Sequence, residues 1–114
     1  LLTFADFNHE HDRCLAFLKT AVLSSNARKK IVVTHHVPSF QMQCPKFADS
    51  QANGAFTVEL EDYIKDSGID FWIYGHSHYN VDVRIGNTMC VSNQLGYVFH
   101  GEHESFNPCK NIEV

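Results

Sequence analysis

The feature that most constrains this chain is an apolar segment that runs into a glycine and two histidines. Residues 71–74 (Phe-Trp-Ile-Tyr) have the composition of a β-strand, and Gly75, His76 and His78 follow. In an extended backbone, residues two apart point to the same side, so we expect His76 and His78 to leave the strand as a pair. Imidazole is the commonest metal ligand in proteins, which makes this strand end a candidate metal site. Taken alone, such a motif is more often a pair of surface histidines in a loop.

A second apolar segment, upstream, ends in the same way. The β-branched residues 31–33 lead through Thr34 into His35 and His36, and Pro38 prevents the strand from continuing. A segment of helical character separates the two strands, as in units whose strands are parallel and whose carboxyl ends meet at one edge of a sheet. The sequence therefore predicts an α/β fold in which His35 converges with the two downstream histidines.

Apolar periodicity and turn residues define the other elements. A helix is expected over residues 3–25, with Thr3 as its N-cap and Asp6 completing a capping box. A second helix is expected over residues 55–66, ended by Gly68. Both apolar strands are expected to be buried on both faces. The remaining expected segments are a loop over 39–54, hairpin strands at 81–85 and 88–92 around Gly86 and Asn87, and a possible strand at 111–114.

Composition excludes several classes of protein. The 114 residues suffice for one domain, and the formal net charge of −4 gives no indication of nucleic acid as a partner. No apolar run approaches the ~20 residues of a membrane-spanning helix, so no membrane association is expected. The four cysteines are scattered without Cys-x-x-Cys spacing, which favours free thiols in a reducing compartment, and we expect a cytoplasmic protein. The same scatter argues against a structural zinc site built from cysteine and histidine.

The two histidine segments read Val-Thr-His-His-Val-Pro-Ser at 33–39 and Tyr-Gly-His-Ser-His at 74–78. Together they resemble the last two metal motifs of the calcineurin-like metallophosphoesterases, in particular a bacterial branch of predicted phosphohydrolases. Later segments of the chain agree with that branch, so the resemblance covers nearly its whole length. These segments are Gly-Asn-Thr at 86–88, Val-Ser-Asn at 91–93, Gly-Tyr at 96–97 and Ser-Phe-Asn-Pro at 105–108.

The resemblance implies that residues 1–114 are the C-terminal half of a four-layer α/β/β/α sandwich. The family's three earlier metal motifs do not occur in these residues, so the N-terminal half of the same domain is an expected partner. The resemblance further implies two divalent ions (manganese, zinc, iron or nickel), with His35 and His76 on one and His78 on the other. The bridging carboxylate and the catalytic general acid are then expected in the N-terminal half. The implied reaction is hydrolysis of a phosphomonoester or phosphodiester by a water that the two ions activate.

Other polar residues near these motifs have less certain roles. His36 is assigned to substrate binding because it adjoins a ligand, although alternation along a strand would place it on the opposite face. His9 and His11 are expected to be solvated, and Asn-His-Glu at 8–10 is interpreted as a chance match to an earlier motif. Asn93 and Tyr97 are expected to support the pocket. Gln94-Leu95 stands where related sequences carry Pro-Arg, which removes a candidate phosphate contact.

Two classes of function remain open from the sequence. One is the phosphoesterase, and the other is a non-catalytic interaction module on the same scaffold. The presence of His35, His76 and His78 favours the enzyme, because loss of activity would be expected to remove a metal ligand first.

Overall fold

The structure is a computed structural model that describes residues 1–51, 54 and 56–114. In chain order, its α-helices and β-strands are α1 (Phe4–Ser24), β1 (Ile31–Val33), α2 (Glu61–Asp66), β2 (Phe71–Ile73), β3 (Val83–Ile85) and β4 (Thr88–Val91). The strands form one sheet in the order β1-β2-β4-β3, in which β1, β2 and β4 are parallel and β3 is antiparallel to β4. The predicted α/β class is confirmed, as is the parallel pairing of the two strands that precede the histidines.

Helix α1 begins and ends close to the predicted positions. Thr3 is the N-cap, and its hydroxyl accepts from the Asp6 N–H at 3.2 Å while the Asp6 carboxylate accepts from the Thr3 N–H at 2.7 Å. This reciprocal capping box satisfies backbone donors that the first turn leaves unpaired. An apolar stripe of α1 faces the sheet, although no α1 residue is fully buried. Its half-buried members are Leu15, Leu18 and Val22.

The core lies on one face of the sheet. Val32 of β1 is in register with Trp72 of β2, which is in register with Cys90 of β4. Trp72 and Cys90 are 0% exposed and Val32 is 9% exposed. Both helices pack against this cluster, through Leu18 and Val22 from α1 and through Tyr63 and Ile64 from α2. Burial of the indole and its aliphatic neighbours supplies the main driving force for folding of this layer.

The opposite face of the sheet is open at β1. Ile31 is 43% exposed and Val33 is 70% exposed, while Phe71 and Ile73 of β2 are half-buried. The described residues therefore cover only one face of β1, and burial of both strands on both faces stays a prediction for a protein with a further layer. The described elements account for a helical layer and a sheet. Within these residues, no helix combines the length and apolar character needed to cross a membrane.

The segment before α2 differs most from its predicted structure. The helix predicted over 55–66 begins only at Glu61, and Ala55 lies outside the described residues. Instead, the Val58 N–H donates to the Val37 carbonyl at 2.8 Å, and the Val37 N–H donates to the Phe56 carbonyl at 3.0 Å. This parallel bridge satisfies backbone groups beside the histidines, and it outweighs the local helical pattern.

The C-terminal part contains the predicted hairpin but no further strand. Gly86 has φ of 58° in the tight turn between β3 and β4, a conformation that favours glycine. The prediction of a possible strand at 111–114 is wrong, since these residues have no strand pairing. Side chains anchor the tail instead. The Lys110 ammonium donates to the Asp82 carboxylate and to the Ser92 carbonyl, each at 2.7 Å.

Candidate metal centre

Backbone pairing holds the two histidine-bearing strand ends side by side. The Thr34 N–H donates to the Ile73 carbonyl at 2.9 Å, which extends the parallel ladder by one residue beyond β1. The Gly75 N–H then donates to the His35 carbonyl at 3.2 Å. As a result, the residues that follow β1 and β2 emerge together at the carboxyl edge of the sheet, where α/β proteins place their ligands.

The Thr34 hydroxyl connects the core to this edge. It accepts a hydrogen bond from the indole Nε1–H of Trp72 at 2.9 Å and donates to the His36 carbonyl at 3.0 Å. The chain bends at His35 and His36 and is no longer extended there. The threonine therefore fixes the bend relative to a fully buried side chain.

Three imidazoles meet at this edge. His35, His36 and His76 each offer a ring nitrogen, and the three atoms lie within 4.8 Å of one another. The ring centroids are 5.0 Å apart for His35–His36, 4.6 Å for His35–His76 and 4.8 Å for His36–His76. His35 and His36 are exposed and His76 is half-buried, so a small ion can reach the cluster. The predicted approach of His35 to His76 is present, and His36 joins them.

The expectation that successive side chains alternate between the two sides of a strand fails for both histidine pairs, for one physical reason. It assumes an extended backbone, whereas His35 and His36 lie in a bend, and His76 and His78 have φ of 69° and 53°. In these conformations, sequence spacing no longer fixes the side on which a side chain lies. His36 consequently shares a cluster with its neighbour, and His78 does not share one with His76.

Electrostatics within the cluster favour the neutral imidazole of His36. Partial burial lowers the pKa of His36, and the neighbouring His35 and the more distant His11 lower it further, because each disfavours a second positive charge. Only a neutral imidazole has a lone pair for a metal, so the surroundings of His36 suit a ligand.

Aromatic rings flank the half-buried histidine. The Phe56 ring stacks on that of His76 with centroids 4.8 Å apart, and Phe47 stacks on Phe56 at 5.9 Å with an interplanar angle of 4°. Phe47 belongs to the segment that the sequence predicted as a loop over 39–54. Its contribution here is to pack the ring that supports His76.

His78, which the sequence predicted to converge with His35 and His76, is not a member of the three-imidazole cluster and has partners of its own. Its Nδ1 is 3.0 Å from Oε2 of Glu102, and its ring meets the Tyr97 ring edge-on with centroids 4.7 Å apart. The backbone N–H of His78 donates to the Gln94 side-chain carbonyl at 2.7 Å. Tyr97 thus contacts a site residue, as expected, whereas the Asn93 amide donates to the Asn107 carbonyl at 2.8 Å and holds the tail.

Sequence reasoning missed Glu102 and underrated His11. Glu102 lies in a short turn without periodicity, so no sequence signal identified it. His11 is exposed as predicted, but it also lines a cleft of about 280 Å³ between α1 and the first strand end. Polar groups at this cleft come from His11, Cys14, Thr34, His35 and His36, and its apolar walls include Leu15, Leu18, Leu60 and Trp72.

Comparison with known proteins identifies a viral relative of this chain. The chain is 31% identical over 99 residues to a protein of Acanthamoeba polyphaga mimivirus described as uncharacterized. The alignment covers 81% of this chain and 34% of the relative, so the chain spans about a third of the length of the curated relative it matches. No family model matches the chain. No solved structure matches it either.

Proposed function

We propose that this chain carries the histidine half of the active site of a dinuclear, metal-dependent phosphoesterase. The observation that carries the proposal is the meeting of His35, His36 and His76 at the carboxyl edge of a parallel strand pair, with nitrogens within 4.8 Å of one another. Three imidazoles just beyond two paired strands are a donor set suited to manganese, zinc, iron or nickel. The resemblance of residues 33–39 and 74–78 to metallophosphoesterase motifs supplies the reaction class.

In this proposal, the three clustered histidines bind one divalent ion and His78 binds a second. This changes the role assigned to His36 from the sequence, because its ring is as close to His76 as the His35 ring is, within a few tenths of an ångström. Divalent ions held at these positions would neutralise the charge of a phosphate ester and acidify the attacking water. The residues of this chain orient the ions and bound ester, and the adjoining cleft accommodates part of the substrate.

The three clustered histidines and His78 are too few to complete the coordination of two metal ions. We propose that carboxylate ligands, the bridging carboxylate and the general acid come from residues outside these 114, in the complete protein. The open face of the sheet, where Val33 is 70% exposed, is where the second sheet of a four-layer α/β/β/α sandwich would pack. Free cysteines at positions 14, 44, 90 and 109 support a reducing, cytoplasmic setting.

The second candidate is a non-catalytic interaction module, in which the histidine cluster holds no ion. The exposed apolar side chains favour it, since contacts with a partner would cover Val33 and the exposed Phe99. The two candidates differ in two measurable properties of the complete protein, its metal content and its activity on phosphate esters.

The test combines metal analysis with hydrolysis of an aryl phosphate by the complete protein. His76→Ala removes a clustered ligand and should cost most of the activity, together with at least one metal equivalent. His36→Ala should do the same, because both rings belong to one cluster. His9→Ala on the exposed start of α1 is the matched control and should retain both. Metal-free, inactive wild-type protein would reject the enzyme in favour of the interaction module.

A further inference from the structure

The ring of His78 is held through only one of its two nitrogens in the contacts described. Nδ1 lies 3.0 Å from Oε2 of Glu102, and the two side chains are 31% and 26% exposed. An ionised carboxylate can only accept a hydrogen bond, so in the neutral ring the proton is on Nδ1. The lone pair is then on Nε2, the nitrogen that faces away from Glu102.

The carboxylate of Glu102 is itself fixed in place. Its second oxygen, Oε1, accepts from the Tyr97 N–H at 3.2 Å. The preceding Gly96 has φ of 65°, and a Cβ added there would lie 2.6 Å from the Cβ of Glu102 and 3.3 Å from that of His78. Only glycine allows this approach, so the turn is built around the two side chains.

The backbone of His78 is fixed from the same turn. Its φ of 53° is uncommon for a residue with a side chain, and its N–H donates to Oε1 of Gln94 at 2.7 Å. The Gln94 amide donates in turn to the Tyr79 carbonyl at 3.0 Å. Non-glycine residues keep such a conformation only where the surrounding structure holds them in it. Residues of this kind are common at functional sites.

We propose that Glu102 is a positioning residue that orients His78 for a divalent cation. It holds Nδ1–H and leaves the Nε2 lone pair available, which is the carboxylate–histidine arrangement found behind metal-ligating imidazoles. The inference rests on the proposed function, since it concerns the second of the two ions. It adds that the His78 site depends on a turn, residues 94–102, that supplies none of the three clustered imidazoles.

A merely structural pair of His78 and Glu102 would behave differently. A hydrogen bond that serves only structure contributes a modest net free energy to stability, and its removal would leave metal binding unchanged. A positioning pair, in contrast, sets the affinity for the ion, and loss of such a carboxylate typically lowers metal affinity by about 10–100-fold.

The experiment titrates the metal-free complete protein with Co²⁺, following the visible absorption of the bound ion and the heat of binding. Glu102→Ala should weaken one of two Co²⁺ equivalents by about 10–100-fold and leave the other unchanged. Glu102→Gln retains an acceptor for Nδ1–H but loses the charge, so it should fall between the wild type and Glu102→Ala. Glu104→Ala, in the short helical turn that begins at Glu102, is the matched control and should bind as the wild type does.

Gly96→Ala gives a second, independent perturbation. The added methyl group displaces the Glu102 side chain without removing its charge, and it should weaken the same equivalent. Thermal melting of each metal-free variant identifies any general loss of structure, which the inference does not predict for Glu102→Gln.

Each other outcome has a definite meaning. The positioning role is overturned if Glu102→Ala binds both Co²⁺ equivalents with wild-type affinity. It is also overturned if Glu102→Ala weakens both equivalents equally and lowers the melting temperature. Binding of a single Co²⁺, lost in His76→Ala but not in Glu102→Ala, also overturns it and leaves the three-histidine site standing. Failure of the wild type to bind Co²⁺ rejects the proposed function and this inference together.

Discussion

Replacement of Thr34 by valine tests how the core holds the histidine cluster. Valine has nearly the shape of threonine but no hydroxyl, so the substitution removes two hydrogen bonds and little packing. One bond comes from the indole of Trp72, which is 0% exposed, and the other goes to the carbonyl of His36. Thr34→Val therefore separates the polar connection from the packing around it.

The two bonds differ in their expected cost. A buried donor left without a partner costs about 1–3 kcal/mol, whereas water can replace the bond to the exposed His36 carbonyl at a cost of about 0.5–1 kcal/mol. We expect Thr34→Val to lower the free energy of unfolding by about 2–3 kcal/mol, a large share of the ~5–15 kcal/mol of a typical domain. Because the bend at His35 and His36 loosens, metal affinity should fall as well.

Urea denaturation of the complete protein, followed by far-ultraviolet circular dichroism, measures the effect. The Trp72→Phe variant lacks the indole donor. In that background, Thr34→Val should lower the free energy of unfolding by about 1–2 kcal/mol less than it does in the wild type. Thr20→Val, on the exposed surface of α1, is the control for the substitution itself. A Thr34→Val protein within about 0.5 kcal/mol of the wild type, with unchanged metal affinity, would refute this reasoning.

Three further predictions concern the thiols, the hairpin and the open face of the sheet. Burial raises the pKa of the Cys90 thiol to about 11. A thiol reagent at pH 8 should therefore label the exposed Cys14 and Cys109 in the native protein, and it should label Cys90 only after denaturation. Native labelling of Cys90 at the rate of Cys14 would contradict its burial. Gly86→Ala should destabilise more than Gly68→Ala, because both have positive φ but only the first would bring a Cβ within 3.0 Å of a backbone oxygen, that of Lys65. Equal melting temperatures for these two variants would rule out the steric part of that difference. Residues 1–114 expressed alone should associate or aggregate and be inactive on phosphate esters, because Ile31 and Val33 are exposed. Analytical ultracentrifugation and an aryl phosphate assay check this, and an active monomer would contradict it.

The sequence by itself determined the elements whose signals are local. The capping box of Thr3 and Asp6 located the start of α1, the φ requirement at Gly86 located the hairpin turn, and the two apolar segments located the parallel strands. It also identified His35 and His76 as residues that meet at one edge. These predictions succeed because each depends on a few neighbouring residues, whose backbone preferences agree with the final fold.

Only the tertiary structure decided how the side chains beyond the strand ends are arranged. His36 joins the cluster because the chain bends there, and His78 leaves it because positive φ at residues 76 and 78 turns its ring toward Glu102. The start of α2 likewise moved to Glu61 because residues 56–58 pair with the segment after β1. Period-based reasoning requires a regular backbone, and beyond the strand ends long-range hydrogen bonds determine the conformation instead.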